Sequence, residues 1–192
     1  MRVVNARPNA LGVAALELQP TNDVLELGCG SGHAISIMAK QVPRGTIHAI
    51  DPSAAMLAQA RARNRGSCGT GRVRLYRART EQLPFASGSM DKILAVNVAY
   101  FWSEPAAALR EIRRVLRPTG ILSIYVTGAS TMCHWPFAGA ETHRLFDLAE
   151  LERALRHGDF PDWTVSIATV RITRRIAGLI ATATLNPEVS PN

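Results

Sequence analysis

The chain has 192 residues, of which 47% are hydrophobic and 19% charged; this excludes a disordered protein and predicts one globular domain over residues 1–192, with its core at about 20–185. The formal charge of +7 comes almost wholly from arginine, a balance that attracts nucleic acid, anionic lipid or acidic substrates, or that forms a merely solvated surface. Three scattered cysteines exclude a disulfide framework and a metal site, and no apolar run reaches the length of a membrane span, so we expect a cytoplasmic protein.

In the first half of the chain, short apolar runs alternate with stretches whose apolar residues recur at helical spacing. The predicted elements are a helix ending at Pro20, strands at Asp23–Leu27 and Thr46–Ile50 with a helix between them, a helix capped by Ser53, and a strand at Val73–Tyr76. Arginines ahead of a glycine-rich stretch predict a basic, flexible connection over 61–71.

The second half continues this alternation. The predicted elements are a strand at 92–96, a helix opened by Pro105 and closed by 117–120, a strand at 121–126, an irregular stretch at 127–140, a helix around Leu151, and strands at 165–170 and 176–184. Repeated strand–helix alternation favours right-handed βαβ units. We therefore predict an α/β fold, a doubly wound, mostly parallel seven-stranded sheet with helices on both faces.

Three glycines, Gly28, Gly30 and Gly32, separate the strand at Asp23–Leu27 from the next helix. A strand that ends in glycines and turns at once into a helix brings backbone N–H groups and a helix N-terminus to one point. Glycine is needed there because a Cβ atom would block both the tight turn and the close approach of a ligand. The loop therefore predicts a site for a small molecule that carries a ribose or a polar tail.

The spacing of these glycines distinguishes two classes of ligand. The dinucleotide fingerprint is G-x-G-x-x-G, whereas here the third glycine comes one position early and His33 stands in its place. Glu26 lies two residues before the first glycine. Asp51 follows the loop by about 20 residues at the end of a second strand, where an acid hydrogen-bonds ribose hydroxyls. The glycine spacing therefore disfavours a nicotinamide dinucleotide.

The glycine motif and three others resemble the class I S-adenosylmethionine-dependent methyltransferases, in the small-molecule branch that includes ubiquinone and menaquinone biosynthesis enzymes. The first motif is Glu26-x-Gly28-x-Gly30-x-Gly32, and the others lie at 51–56, 81–93 and 111–120. The resemblance covers roughly residues 20–126 well and the remainder loosely. It implies a methyltransferase fold, with S-adenosyl-L-methionine as the cofactor and S-adenosyl-L-homocysteine as its product.

The resemblance also implies a cofactor site. The glycines would let the backbone approach the methionine portion with Glu26 positioning it, while Asp51 would hold the ribose. Met56 would pack near the adenine, and Asn97 would lie by the methionine end. The cofactor-binding residues so implied are Glu26, Gly28, Cys29, Gly30, Ser31, Gly32, Asp51, Pro52, Met56, Thr80, Glu81 and Asn97.

The methyl acceptor is less well indicated. Methyl transfer is an in-line displacement that needs alignment and exclusion of water, and the sequence points to no catalytic residue. Candidate substrate-binding residues for a small, apolar or aromatic acceptor are His33, Tyr100, Trp102 and Trp135. The stretch 127–140 follows a strand and carries apolar anchors between glycines, so we expect it to help cover the acceptor.

Two alternatives stay open at this point. The charge of +7 and the arginine clusters motivate a nucleic-acid (RNA) methyltransferase. Arg79 stands where the family often has an aspartate that accepts a hydrogen bond from the adenine amino group. Arginine only donates, so Thr80 or backbone atoms would have to replace it, which motivates a binding protein that keeps the fold without catalysis. The sequence indicates neither the acceptor atom nor the oligomeric state.

Overall fold

A computed structural model describes residues 6–135, 144–156 and 163–185. The strands are β1 (Asp23–Leu27), β2 (Thr46–Ile50), β3 (Val73–Tyr76), β4 (Met90–Val96), β5 (Leu116–Thr127), β6 (Trp163–Arg171) and β7 (Ala177–Leu185). The helices are α1 (Ala6–Ala14), α2 (His33–Gln41), α3 (Ala54–Arg63), α4 (Arg65–Gly69), α5 (Pro105–Val115), α6 (Ala129–Met132) and α7 (Leu148–Arg156), with a 3₁₀ turn at Ala99–Phe101.

The strands form one seven-stranded sheet in the order β3-β2-β1-β4-β5-β7-β6. The first five run parallel, and β7 pairs antiparallel with both β5 and β6. Because parallel neighbours need crossover connections, helices cover the faces of the sheet. The predicted fold class, a doubly wound and mostly parallel seven-stranded sheet, is confirmed.

Two apolar cores lie on opposite faces of the sheet, and β1 contributes to both because successive side chains point to opposite faces. Leu25 and Leu27 belong to the first core, which α5 and α7 complete. Val24 belongs to the second core, which α1 and α2 complete. Glu26 follows Val24 at strand period two, so its carboxylate lies on the α2 side, near the carboxyl end of β1.

The connection predicted to be flexible over 61–71 instead contains α4. The amide of Cys68 donates to the carbonyl of Asn64 at 2.9 Å, which closes its turn. The guanidinium of Arg72 donates to the carbonyl of Ala39 at 3.3 Å and so ties the connection to the end of α2. This contact between distant parts of the chain is absent from the local pattern of glycines and arginines.

Other boundaries also differ from those predicted: α1 ends at Ala14 rather than at Pro20. The stretch 127–140 does not begin as an irregular loop, because the amide of Met132 donates to the carbonyl of Gly128 at 3.0 Å and forms α6. The turn predicted at 117–120 belongs to β5, whose first residue, Leu116, pairs with Met90 ahead of a register shift. Pairing with β4 thus extends the strand back to the end of α5.

Candidate functional site

The chain positions singled out by the sequence meet at the carboxyl edge of the parallel sheet. Gly28 follows β1, Asp51 follows β2, Asn97 follows β4, and Thr127 ends β5. Ligands of open α/β sheets bind at this edge, at the point where the strand order reverses. Here the order reverses between β1 and β4, so the glycine loop and the segment after β4 flank one crevice.

The three glycines of the loop all have left-handed backbone conformations, with φ of 61° at Gly28, 50° at Gly30 and 74° at Gly32. A Cβ atom on Gly28 would lie 2.4 Å from Val98 Cγ2, and one on Gly32 would lie 2.6 Å from Asn64 Nδ2. A Cβ atom on Gly30 would meet no described residue within 4 Å. Gly28 and Gly32 therefore lock the loop into the protein, whereas Gly30 leaves an open face that a ligand can approach.

Asn64 holds this loop from the end of α3, and the sequence analysis missed it. Its amide nitrogen donates to the carbonyls of Gly32 at 3.0 Å and Ala60 at 2.9 Å. Its amide oxygen accepts from the hydroxyl of Ser36 at 2.8 Å. Arg63 adds a bond from Nε to the carbonyl of Ser31 at 2.9 Å, so Ser31 is held by its backbone. No residue spacing marks Asn64, since its partners in the loop and α2, Gly32 and Ser36, lie some thirty positions away.

Asp51 is buried and joins the end of β2 to the glycine loop. One carboxylate oxygen accepts from the amide of Gly30 at 2.9 Å, and the other accepts from the amide of Ser53 at 2.8 Å. Each oxygen has a further lone pair, so ribose hydroxyls still find acceptors there. Ser53 caps α3 by accepting from the amide of Met56 at 3.3 Å, as predicted. The Met56 side chain is half-buried, and the neighbouring Pro52 is exposed.

Glu26 is only 4% exposed, and one of its carboxylate oxygens has no hydrogen-bond partner among the described residues. Burial, followed by the nearby charge of Asp51, raises the pKa of Glu26 to about 8, although a backbone hydrogen bond from Ile35 opposes the shift. A buried acceptor without a partner is costly unless a ligand or water satisfies it. This orphaned oxygen, beside a glycine loop with one open face, fits a ligand that carries hydrogen-bond donors or positive charge.

Cys29 packs inside the loop rather than presenting a reactive thiol. Its amide donates to the carbonyl of Ile50 at 2.9 Å, and its side chain belongs to the second core. Burial, with the charges of Glu26 and Asp51, raises the pKa of the Cys29 thiol far above its usual value. The thiol is therefore protonated at neutral pH and is no nucleophile.

Arg79, Thr80 and Glu81 lie in the segment that follows β3. The Glu81 carboxylate accepts from the amide and the hydroxyl of Ser103, each at 3.0 Å, and approaches Arg79 Nε at 3.5 Å. Burial alone would raise the pKa of Glu81, but these hydrogen bonds and the guanidinium outweigh it and lower that pKa. Thr80 is buried. Arg79 thus pairs with Glu81 in its own segment. Glu81 in turn connects this segment to Ser103, just ahead of α5.

A hydrogen-bonded cluster joins the ends of β4 and β5. Asn97 has a left-handed φ of 54°, and its side-chain oxygen accepts from the Tyr100 hydroxyl at 2.9 Å and from the Thr127 hydroxyl at 3.3 Å. The amide of Thr127 also donates to the Tyr100 hydroxyl. A non-glycine residue in this conformation is uncommon and persists where the surroundings fix it, often at functional sites. Thr127 was predicted only as the start of the cover over 127–140; its contact with Tyr100 joins the end of β5 to the 3₁₀ turn after β4, and no local pattern indicates it.

The four predicted substrate-binding residues have different surroundings. His33 begins α2 next to the glycine loop and is half-buried. Burial raises the pKa of Tyr100 well above its usual value, so its hydroxyl is a structural donor and not a base. Trp102 lies in the first core, and the half-buried Trp135 packs against that core. The predicted cover over 127–140 is described only as far as Trp135, and its remainder lies outside the described residues.

Two negative findings apply to the described residues alone. Over 6–135, 144–156 and 163–185, no group of three or more His, Cys, Asp or Glu side chains is arranged to hold a metal ion. Within those same ranges, none of the helices has the length and apolar character needed to cross a bilayer.

Comparison with known proteins gives one family and several relatives. The model of the methyltransferase domain family matches residues 25–124. The chain is 30% identical over 150 residues to the uncharacterized methyltransferase YodH of Bacillus subtilis (strain 168), covering 76% of this chain and 60% of that protein. It is 29% identical over 164 residues to a malonyl-[acyl-carrier protein] O-methyltransferase of Laribacter hongkongensis, covering 78% of this chain and 54% of that one. The chain spans between 31% and 66% of the length of the curated relatives it matches.

Solved structures share the fold at low sequence identity. A putative methyltransferase of Haloferax volcanii, in complex with the activator Trm112, has a TM-score of 0.81 at 19% identity and covers 95% of this chain and 90% of its own. The [4+2]-cyclase SpnF has a TM-score of 0.79 at 20% identity, covering 94% of this chain and 81% of its own. Because identities this low show the fold alone, the function has to be argued from the site.

Proposed function

Because this chain belongs to the class I S-adenosylmethionine-dependent methyltransferases, through the methyltransferase domain matched over residues 25–124, we propose that it transfers a methyl group to a small, apolar or aromatic acceptor. The observation that carries the proposal is the glycine loop, in which Gly30 alone presents an open face, together with the buried Glu26 oxygen at the end of β1 that has no partner among the described residues. The family's cofactor supplies an electrophilic methyl group on a sulfonium when bound.

The residues that would hold S-adenosyl-L-methionine are those already gathered at the carboxyl edge. Gly30 allows close approach of the backbone, and Glu26 offers a buried acceptor in the same loop. Asp51 has lone pairs left for two ribose hydroxyls, and the half-buried Met56 lies in the first turn of α3, which follows it. Thr80, which precedes Glu81, is the hydroxyl nearest in sequence to Arg79 and would replace the absent aspartate.

The chain's own contribution to the reaction is alignment and exclusion of water. An in-line displacement gains most of its acceleration from holding the reacting atoms in a near-attack geometry and from excluding water. The Asn97–Tyr100–Thr127 cluster fixes the backbone on the acceptor side of the crevice. Because the Tyr100 hydroxyl stays protonated at neutral pH, its role is to position this backbone.

An apolar or aromatic acceptor is supported by the side chains after β4 and β5. Phe101 is 57% exposed in the 3₁₀ turn, and Trp135 is half-buried at the end of the α6 segment. Some relatives are named as malonyl-[acyl-carrier protein] O-methyltransferases. We further propose a cytoplasmic location, supported by free thiols at Cys29, Cys68 and Cys133.

Calorimetric titration and thermal melts with S-adenosylhomocysteine, S-adenosylmethionine and NAD test which cofactor the protein binds. A ligand at a hundred times its Kd adds about 2.7 kcal/mol of stability, which a thermal melt detects readily. We expect both adenosyl ligands to raise the melting temperature and NAD to leave it unchanged. Binding of NAD together with no shift from S-adenosylhomocysteine would overturn the proposal.

The acceptor side is tested by Trp135→Ala, with exposed Leu148→Ala as the matched control. Formation of S-adenosylhomocysteine is followed over a panel of small aromatic and aliphatic acceptors. We expect Trp135→Ala to raise the KM for the best acceptor while cofactor affinity stays constant, and the control to change neither value. Unchanged acceptor affinity and turnover in Trp135→Ala would remove this segment from the acceptor site.

A further inference from the structure

The positive charge of this protein is concentrated in one short segment. From residue 52 to residue 80 the sequence has seven arginines and no aspartate or glutamate. The other 15 of the chain's 22 lysines and arginines lie outside this segment, and their charge equals that of the 15 acidic residues, all of which also lie outside it. The whole formal charge of +7 thus resides between β2 and the segment that follows β3.

The fold brings these arginines to the β3 edge of the sheet, where α3, α4 and β3 pack against one another. Arg72 is half-buried on the end of α2, and Arg79 pairs with Glu81. The other five are exposed, and we call them the arginine surface. Its members are Arg61, Arg63, Arg65, Arg74 and Arg77.

No carboxylate compensates the arginine surface. Among the described residues, none of its five guanidinium groups lies within 4.0 Å of an acidic side chain. Some arginines outside the surface do have acidic partners: Arg114 pairs with Glu111 at 2.6 Å, and Arg156 pairs with Glu152 at 2.9 Å. Like charges gathered without counter-charges repel one another and destabilise the folded state, so this arrangement points to an anionic partner.

Three members of the surface are held in place by their inner nitrogens. Arg63 Nε donates to the carbonyl of Ser31 at 2.9 Å. Arg74 Nε donates to the carbonyl of Gly71 at 3.4 Å, and Arg77 Nε donates to the carbonyl of Pro52 at 3.1 Å. In each of these residues the two terminal nitrogens make no hydrogen bond to a described residue. A planar guanidinium anchored in this way loses little further freedom when it binds an anion in a bidentate manner.

The composition of the surface selects among anionic partners. Protein interfaces are built around apolar and aromatic anchors, and a bilayer surface takes up apolar side chains. Among the described residues, the large apolar side chains that are exposed are Phe101 and Leu148, and neither lies in this segment. Interfaces with nucleic acid are by contrast polar and strongly positive.

We propose that the arginine surface binds the phosphate backbone of a nucleic acid without reading its sequence. Sequence-independent binding of this kind rests on contacts between basic side chains and phosphates, which release condensed counterions. The exposed residues of the surface include no aromatic side chain on which bases would stack, so duplex and single strand bind through the same phosphate chemistry. The surface and this binding do not depend on the proposed methyl transfer.

Fluorescence anisotropy with a fluorescein-labelled 20-base-pair DNA duplex, between 50 and 200 mM KCl, tests the proposal. One variant combines Arg61→Gln, Arg65→Gln and Arg74→Gln. A matched control combines Arg110→Gln, Arg174→Gln and Arg175→Gln, which removes the same charge from exposed arginines outside the surface. We expect the first variant to lose at least tenfold in affinity and about 2.7 from the slope of log K against log salt, since each lost phosphate contact removes about 0.9. The control should lose less than threefold.

Equal losses in the two triple variants would overturn the proposal, because only net charge would then matter. Displacement of the duplex by poly-glutamate, or binding to phosphatidylglycerol vesicles with higher affinity than to the duplex, would assign the surface to a protein or to a membrane instead. Thermal melts check that each variant is folded. If the first triple variant does not fold, Arg65→Gln alone must lower the salt slope by about 0.9, and an unchanged slope would refute the role.

Discussion

The two halves of the crevice are held by different kinds of interaction. On the β1–β3 side, the interactions that hold the crevice involve the backbone. Left-handed glycines pack on Val98 and Asn64, and the Asp51 carboxylate binds the loop amide of Gly30. On the β4–β5 side, side chains hold the crevice, because Asn97, Tyr100 and Thr127 bind one another across two strand ends. The first half suits a ligand common to a whole family, whereas the second can be altered by substitution of a few side chains.

The largest expected effect comes from filling the locked part of the glycine loop. Gly28→Ala places a methyl group 2.4 Å from Val98 Cγ2 at a φ of 61°. Left-handed strain and overpacking together should lower the free energy of unfolding by about 2–5 kcal/mol. Urea denaturation of the ligand-free protein measures this change.

Gly30→Ala is the matched comparison, because it adds the same methyl group where no described residue lies within 4 Å. Strain alone should then lower the free energy of unfolding by about 1–2 kcal/mol, while affinity for S-adenosylhomocysteine falls by more than tenfold. Equal stability losses in the two variants, with cofactor affinity intact in Gly30→Ala, would mean that Gly30 does not face the ligand.

Asp51→Ala should have the next largest effect. Loss of a charged acceptor for two ribose hydroxyls predicts a fall in cofactor affinity of one to two orders of magnitude, about 1.4–2.7 kcal/mol. The ligand-free protein should also lose about 1–2 kcal/mol of stability, since the amides of Gly30 and Ser53 lose their acceptor. Asp51→Asn, which keeps one oxygen, should recover part of the stability and little of the affinity. Unaltered affinity in both variants would leave Asp51 with only a structural role.

The raised pKa of Glu26 predicts that the free energy of unfolding depends on pH. Its pKa is about 8 in the folded protein and 4.5 in the unfolded chain, so between these values the folded state binds the additional proton. Stability contributed by this group therefore falls as pH rises from about 4.5 to 8, by at most about 1.4 kcal/mol per pH unit. Glu26→Gln should remove that slope when unfolding is measured from pH 5 to pH 8. An identical slope in the variant would show that Glu26 is ionised throughout.

The smallest effect is expected on the acceptor side. Tyr100→Phe deletes the hydroxyl that binds Asn97 and Thr127, which should cost about 1–2 kcal/mol of stability and lower turnover. Affinity for S-adenosylhomocysteine should not change. Tyr76→Phe, which deletes a hydroxyl bonded to His48 at 3.1 Å, is the control and should leave turnover intact. A loss of cofactor affinity in Tyr100→Phe would contradict the division between the two halves.

Sequence reasoning recognised residues that report local backbone requirements and missed residues that act through distant contacts. Glycines at 28, 30 and 32 and the acid before Pro52 report local backbone requirements, which residue types reveal directly. Asn64 and Thr127 act through contacts with residues about thirty positions away, and nothing in their neighbouring sequence marks them. The cofactor-binding and substrate-binding roles of the predicted residues stay predictions until ligands are titrated.

The same limit applies to secondary structure. Strands β1, β2 and β3 have the predicted bounds, because apolar runs between turn residues are a strong local signal. Helix α4 was missed because a glycine-rich segment has low helix propensity, and its tie to α2 through Arg72 comes from packing. The backward extension of β5 likewise depends on pairing with Met90.

The place of β7 has a consequence for synthesis of the chain on the ribosome. Of the described strands, β7 leaves the ribosome last, yet it lies between β5 and β6, with Tyr125 opposite Ile180 and Ile167 opposite Ala181. Until β7 has emerged, β6 has no strand to pair with, and the nascent sheet ends at an unpaired, apolar β5 edge. Such edges are sites of association between chains. A chain whose synthesis stops between β6 and β7 would therefore have a sheet that ends at the unpaired edge of β5.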